Sequence, residues 1–382
     1  MLYDVAVIGA GVFGAWTAHH LRQAGLQVAL LDAYGGGNSR ASSGGESRII
    51  RMGYGADEIY TRSSMRSLVL WQQFCLQTGQ PLFHRTGVLW TAVKGDAYTE
   101  NTRQTLARCG AHFEVLDPAA LKSRFPQMHS APGVWGIFEP ESGALMARRA
   151  VEAVVADAVL HGVALLHEAV AQPHGKGALA AVRTGAGGSI AAGKFVFACG
   201  PWLPKVFPDL LGQRIEATRQ EAFFFGTPAG DQRFSAPAMP VWIDFSDPRG
   251  PYGFPDLENR GVKIALDQHG PPIDPDTADR IPSAEALAAA RDFIGQRFPA
   301  LRHAPLLEAR VCQYENTSNG DFLIDRHPDF DNVWLVGGGS GHGFKHGPAV
   351  GEYAAARILH GGIVEPRYSL ATKSRTQNRT VF

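Results

Sequence analysis

The sequence predicts a protein of α/β and α+β character. One domain is a doubly wound parallel sheet assembled from separated segments, and the second is mostly antiparallel β. Three observations predict this. A strand, glycine turn, helix and strand fill the first 32 residues, and a second strand, glycine-rich turn and helix stand far away at 332–362. Between them, short aromatic strands alternate with proline and glycine turns, a change of composition that marks a different layer. A chain of 382 residues is long enough for two cores.

Taken in order, DVAVI (4–8) is the short apolar run of a buried parallel strand. It breaks at GAGVFG, continues with the helical period of AWTAHHLRQAG and stops at Gly25. QVALLD is a second buried strand ending in Asp32, which completes a βαβ unit with a right-handed crossover. The Gly-, Ser- and Arg-rich stretch 33–55 is too long to be a mere connector. Residues 57–79 read as a helix with an acidic start closed by Gly79, and GVLWTAV (87–93) as a strand. DPAALKSRFP is a short helix with Asp117 as N-cap and Pro118 at its first position.

Residues 146–162 form an amphipathic helix, and strand, hairpin and buried strand follow up to Gly200, a return to parallel-sheet character. Residues 216–310 carry the strands EAFFFGT, VWIDF and VKIALD and a helix from Ser283 to about Phe298. EARVCQYENTSNGDFLID (308–325) reads as strand, turn, strand. The expected division assigns 1–86, 142–215 and 311–368 to a nucleotide-binding domain, and 87–141 and 216–310 to a substrate domain. A tail at 369–382, basic and polar, is expected to be solvated and mobile.

Composition excludes several classes. With 36 acidic and 36 basic side chains there is no basic excess for nucleic acid as the main partner. No apolar run approaches the ~18 residues of a membrane span, and the N-terminus has no charged leader of the secretory kind. The four cysteines (Cys75, Cys109, Cys199, Cys312) are widely spaced without a zinc-like pattern, so reduced thiols and a cytoplasmic location are the default expectation. A cysteine such as Cys312, alone in a strand-like run, is by default a small buried hydrophobe.

Gly9, Gly11 and Gly14 form G-x-G-x-x-G after a strand and at the opening of a helix, with Asp32 ending the next strand. The first glycine permits the tight turn, the second lets backbone approach a pyrophosphate, and the third allows helix and strand to pack closely. The helix end offers free N–H groups to phosphate, and Asp32 can accept from ribose hydroxyls. The unit is therefore a Rossmann-type dinucleotide site. NAD and FAD both remain open on this unit alone, while the long loop after Asp32 and the distant strand–glycine–helix favour an extended cofactor.

SSGGESRIIRMGYG, GVLW, IFEPESGAL, ACGPWLPK, VCQY…DFLID…HP and GGGSGHGFKHGPAVGE, spread from residue 4 to about 355, together resemble the D-amino-acid-oxidase-type flavoproteins. More closely they resemble monomeric sarcosine oxidase and N-methyltryptophan oxidase. The resemblance implies FAD as cofactor, a small amino acid or amine and O2 as partners, and a monomer. It implies that Arg48 lies against the flavin and that Arg51 and Lys345 pair with the substrate carboxylate. Lys263 would promote the reaction of reduced flavin with oxygen, while Tyr252 and Tyr314 would wall the pocket. Val12, Phe13, Ser42, Ser43, Val170, Gly200, Trp202 and the glycine-rich turn (Gly339, Gly341, Gly343, Phe344, Lys345) would join Gly9, Gly11, Gly14 and Asp32 in holding FAD. That turn would present the N–H groups of a helix start to the ring. Cys312 keeps the spacing of the cysteine that such relatives join to the flavin 8α-methyl through a thioether.

Two positions depart from that family pattern. Gly44 and Asp267 stand where histidines are expected, both in the substrate shell, which favours a bulkier N-alkyl or cyclic secondary amino acid over sarcosine. His342 and His346, four apart, could ligate a metal on a helix, but no third ligand stands nearby and no metal is expected. GGSGH is not the G-x-S-x-G of a serine hydrolase. The alternatives are a dehydrogenase that passes electrons to a quinone or carrier, a catalytically silent flavin-binding subunit, and an NAD-dependent dehydrogenase.

Overall fold

Strand Tyr3–Ile8 is buried from Val5 onward and strand Val28–Leu31 throughout, so neither carries polar alternation. In the computed structural model, which describes residues 2–377, they lie side by side and parallel in a seven-stranded sheet. The path across that sheet is Leu323–Arg326, Val333–Gly337, Ser189–Phe197, Tyr3–Ile8, Val28–Leu31, Ala164–Leu166, with Ala181–Arg183 paired off it. Only Leu323–Arg326 and Ala181–Arg183 run antiparallel to their partners. Helix Val12–Gln23 packs between helices Ala147–Leu160 and Gly347–His360. The chain leaves Tyr3–Ile8 toward one neighbour and returns on its other side, so residues Gly9, Asp32 and Ala198 meet at a switch point.

The second sheet has eight strands, in the order Leu306–Thr317, Ile215–Phe225, Val262–Leu266, Pro251–Phe254, Val241–Asp244, Val88–Val93, Val134–Glu139, Glu114–Leu116. All its pairs are antiparallel except Val88–Val93 with Val241–Asp244. Phe223, Phe225, Trp242, Phe293 and Phe298 centre its own core. Strands Ile215–Phe225 and Leu306–Thr317 pair along their full lengths, so the domain boundary expected at residue 311 falls inside one continuous strand.

Three further details differ from expectation. Arg48 starts a short strand, Arg48–Ile50, held against Gly143–Leu145, inside the stretch 33–55 for which no strand was expected; two consecutive isoleucines favour the extended form. Helix Ala97–Cys109 was not expected, because its buried face is Thr99, Thr102, Thr105 and Leu106, a surface with little apolar periodicity. The described part of the tail is mostly exposed, with one exception. Lys373 is fully buried, its Nζ bonding the Arg367 carbonyl (2.6 Å) and Asn319 Oδ1 (3.3 Å), and Ser374 N bonds Ser318 Oγ (2.8 Å). The rest of the expected tail, 378–382, lies outside the described residues.

Candidate active site

At the switch point backbone meets backbone. Gly9 has φ +106°, and a Cβ there would stand 2.3 Å from the Ala198 carbonyl oxygen; one on Gly14 would stand 1.8 Å from the Gly9 carbonyl. No side chain fits at either place. Helix Val12–Gln23 has Gly11 at its N-cap and no acid in its first turn, so its positive end faces the cleft uncompensated. Val12 N donates to Ser43 Oγ at 3.2 Å. Asp32 is held by Ala10 N and Tyr34 N, each at 2.8 Å, with lone pairs left to accept from a ligand.

These groups line one wall of a cleft with about 1390 Å³ of empty space. Val170, Gly200 and Trp202 join Asp32 on its walls, and Ser42, Phe13, Gly339, Gly341, Gly343 and Phe344 line it with Arg48 and Tyr314. The glycine-rich turn is not a helix start, as expected, but a tight turn followed by the 3-10 turn Phe344–His346, and the helix begins only at Gly347. A glycine turn opening a helix whose N–H groups can meet a pyrophosphate, with an acid at the end of the next strand to accept from ribose, suits a dinucleotide, and the cleft runs on past them to Arg48 and Tyr314. The cleft fits FAD.

At the Arg48 end, the guanidinium donates from Nη2 to Ser42 O (2.9 Å) and Cys312 Sγ (3.1 Å), and from Nη1 to Ser47 O (2.9 Å). Burial disfavours its charge, yet Cys312, Tyr252 and Tyr314 together hold it firmly protonated, with its pKa raised. Cys312 is half-buried and no cysteine forms a disulfide. Lys263 is 4% exposed, unlike the usual solvent-facing strand lysine. Its Nζ bonds the Ser47 carbonyl at 2.9 Å and stands 4.4 Å from the centre of the Phe254 ring. Burial, then the charge of Arg48, pushes this ammonium well below its ordinary range.

A second cavity gathers Arg48, Arg51, Lys263, Asp267, Tyr252, Tyr314 and Lys345 on its walls. Arg51 is sandwiched between the rings of Tyr54 (4.3 Å) and Trp90 (4.6 Å), and it donates to the Gly53 carbonyl. Burial opposes its charge, but Tyr54, Tyr98 and Glu139 outweigh it and raise the pKa. No ion pair is found for Arg51 among the described residues. Lys345 Nζ bonds Tyr54 OH (2.7 Å) and His342 O (3.0 Å). Two buried cations, 7% and 4% exposed, thus flank one tyrosine. Across the cavity, Tyr252, Tyr314 and Asp267 form a hydrogen-bonded series in which Tyr314 OH donates to Asp267 Oδ1 at 2.8 Å. Burial and then Asp267 raise Tyr252 to about 12.

Gly44 is not part of this cavity. It lines a different chamber with Arg40, Glu46 and Arg280, and a Cβ there would meet the Asn38 carbonyl at 2.0 Å. Its glycine serves a tight loop and removes nothing from the Arg51 pocket. Arg48, Lys263 and Cys312 line both chambers and so form the partition between them. The histidine pair is occupied with tyrosine and serine: His346 Nε2 bonds Tyr54 OH (2.8 Å) and its Nδ1 bonds Ser63 Oγ (2.9 Å). Among the described residues no group of three potential metal ligands is found.

Sequence reasoning missed Tyr54, Trp90 and Glu139. Glu139 accepts from Met52 N, Gly53 N, Trp90 Nε1 and Ser142 Oγ at 2.6–3.0 Å, and so fixes the segment that carries Arg51. The only signal was an acid in IFEPESG with no polar neighbour on its strand, since its partners come from three other segments.

The chain belongs to the family of FAD dependent oxidoreductases, whose model matches residues 4–357. Within it, the chain is 31% identical over 380 residues to monomeric sarcosine oxidase of Bacillus sp. (strain NS-129), covering 98% of this chain and 97% of that one. It is also 31% identical over 363 residues to N-methyl-L-tryptophan oxidase of Salmonella heidelberg (strain SL476), covering 93% and 94%. Among solved structures, L-proline dehydrogenase from P. horikoshii shares the fold with a TM-score of 0.83, 23% identity and 97% of both chains covered. No helix among the described residues is long and apolar enough to cross a membrane.

Proposed function

We propose that the protein is an FAD-dependent oxidase of a secondary amino acid, N-alkylated or cyclic, which it converts to an imine. The observation that carries this reading is the meeting of Arg51 and Lys345, both buried, beside a cation–thiol pair that ends the dinucleotide cleft. A guanidinium stacked between two rings, with Nη1 on the Gly53 carbonyl, can present Nε and Nη2 to a carboxylate in bidentate contact, and Lys345 adds point charge. Such a clamp fixes where the amine and its C–H bonds lie, an orientation effect that remote binding can supply. The relatives named for sarcosine, N-methyl-L-tryptophan and L-proline all concern secondary amines.

Bound FAD supplies the two-electron acceptance from the C–N unit and the passage of those electrons to O2, giving H2O2; the imine then hydrolyses in water. Arg48 and Lys263 supply positive charge at the partition, where both also line the Arg51 cavity. Lys263 holds its proton weakly and will draw closer to any negative charge that develops beside it. Asp267, anchored by Tyr314, offers an acceptor opposite the carboxylate clamp and suits a substrate with a second donor or cation.

Cys312 is proposed to carry the cofactor. Cys312 would hold FAD through an S–C bond formed in place of its S–H and one flavin methyl C–H, with O2 taking the two electrons and two protons released as H2O2. The partly buried, electropositive setting beside Arg48 is the kind in which cysteines react. Acid-precipitated protein is then yellow, and Cys312→Ser releases its FAD. A panel of N-methyl and cyclic amino acids, some with cationic side chains, tests the activity by O2 uptake and H2O2 release. Flavin bleaching without O2 uptake would make it a dehydrogenase, and a preference for sarcosine over every larger amine would overturn the substrate class.

A further inference from the structure

The chamber that Gly44 lines has about 1350 Å³ of empty space, nearly that of the dinucleotide cleft. Ser39, Arg40 and Asp276 on its walls are exposed, while Lys263 is buried beside Arg48 and Cys312, so the chamber runs from solvent to the partition. Ala222, Phe224, Ala278 and Val311 give it an apolar wall. Neither Arg51 nor Lys345 reaches it; both belong to the adjoining cavity.

Glu46, Glu308 and Asp276 are the carboxylates on its walls, and each is already engaged. Glu46 and Glu308 are shared by Arg260 and Arg310, with Glu46 at 3.1 Å from the first and 3.4 Å from the second. Asp276 pairs with Lys205 and accepts from Trp202 Nε1 at 2.7 Å. Arg40, Arg48, Arg280 and Lys263 have no carboxylate partner among the described residues. Arg40 Nη1 reaches only the Asp276 carbonyl, at 3.4 Å, and Arg280 Nη2 the Pro275 carbonyl and Gln313 Oε1, each at 3.4 Å. Burial lowers the pKa of Arg280, and the charges of Arg40 and Arg219 lower it further, while the Cys312 thiol raises it. Four basic groups around one space, their charge not cancelled by its carboxylates, concentrate small anions there.

O2 is small and uncharged and needs neither this room nor these cations. We propose that the chamber is a second substrate site, which takes an anionic quinone as an electron acceptor besides O2. This rests on the FAD-dependent reading, with the cofactor held at Cys312, a residue of the chamber wall. Arg40 and Arg280 meet the anionic substituent, and the apolar wall takes the ring. Two electrons and one proton pass from the reduced flavin to the quinone, which takes a second proton from water and leaves as the hydroquinone. Because the amine has its own cavity, the acceptor can react while the imine is still bound.

The test uses the holoenzyme with its flavin photoreduced under anaerobic conditions, so that no amine is needed. Stopped flow then follows reoxidation by a naphthoquinone sulfonate, by the uncharged naphthoquinone and by O2. The sulfonate reaction is expected to slow about tenfold between about 10 and about 300 mM salt, and about tenfold in Arg280→Glu at low salt. Reoxidation by the uncharged quinone and by O2 is expected to change in neither case. A sulfonate reaction that ignores salt in the parent overturns the proposal without any need for the variant. So does an unchanged sulfonate rate in Arg280→Glu, or a loss shared equally by all three acceptors. Photoreduction bypasses the amine, so failure of every amine to bleach the flavin overturns the amine reading alone, whereas protein isolated without flavin overturns the cofactor assignment and this proposal with it.

Discussion

At the scale of the residue, the site is a set of charges taken out of water and held by neighbours other than their opposites. Lys263 is buried against Phe254 and bonded to a carbonyl rather than to a carboxylate. Its replacement by Met removes the charge and keeps the packing. The expected outcome is anaerobic flavin reduction by the amine at an unchanged rate and reoxidation by O2 slowed roughly 10²–10³-fold, measured by stopped flow. Arg51→Lys keeps a cation but not the stacked fork, so KM for the amino acid is expected to rise about tenfold or more while kcat falls less. Glu315 also predicts a pH dependence of the flavin-free protein. Its folded value of about 7 stands above the ordinary 4.5, so folding favours the protonated form. Stability is therefore full below 4.5 and declines as pH rises to 7, by up to about 3 kcal/mol, a decline that Glu315→Gln removes in urea titrations.

At the scale of the element, the segment 48–54 depends on one carboxylate. Glu139 ends strand Val134–Glu139 and takes two backbone N–H groups and the Trp90 indole N–H. Glu139→Ala leaves these three donors and the Ser142 hydroxyl without their acceptor, which is expected to cost about 3–5 kcal/mol of stability by chemical denaturation and to loosen Arg51. Glu139→Gln, which retains one acceptor oxygen, is expected to recover part of both. The long antiparallel pair Ile215–Phe225 and Leu306–Thr317 plays a related role. It carries Tyr314 and Glu315 from the second sheet to the wall of the cleft and Cys312 to the chambers beside it, so one strand links the second domain to the proposed cofactor site.

At the scale of the molecule, the cleft proposed for FAD lies where the switch point of the parallel sheet meets that strand, and an empty cleft leaves its mostly apolar walls open to water. Removal of FAD from Cys312→Ser protein is expected to lower Tm, with restoration that grows with added FAD, as binding to the native state alone requires. Differential scanning calorimetry with and without cofactor measures this.

The βαβ unit was legible residue by residue, because the steric needs of Gly9 and Gly14, the burial of DVAVI and the end of a strand at Asp32 are all settled within about 30 residues. The family resemblance likewise pointed to Arg48, Arg51, Lys263, Lys345 and Cys312, which the fold brings to two adjoining chambers. Gly44 was misread because a glycine in a loop looks the same whether it clears a pocket or admits a backbone; only the approach of Asn38 distinguishes them. The burial of Lys373 was hidden for a similar reason, since TKSRTQ is polar in composition and mostly exposed while Lys373 finds its acceptors on residues 319 and 367. Helix Ala97–Cys109 hid its core face in threonines.

What the sequence determined by itself was the dinucleotide turn and the order of sheet and helix, because backbone sterics and hydrophobic period act between near neighbours. Tertiary structure alone decided that residues 51, 345 and 267 share a cavity, that Glu139 supports Arg51, and that Glu315 is buried with one oxygen unpaired. The energy of a buried charge depends on which distant segments surround it, and no window of the chain contains them.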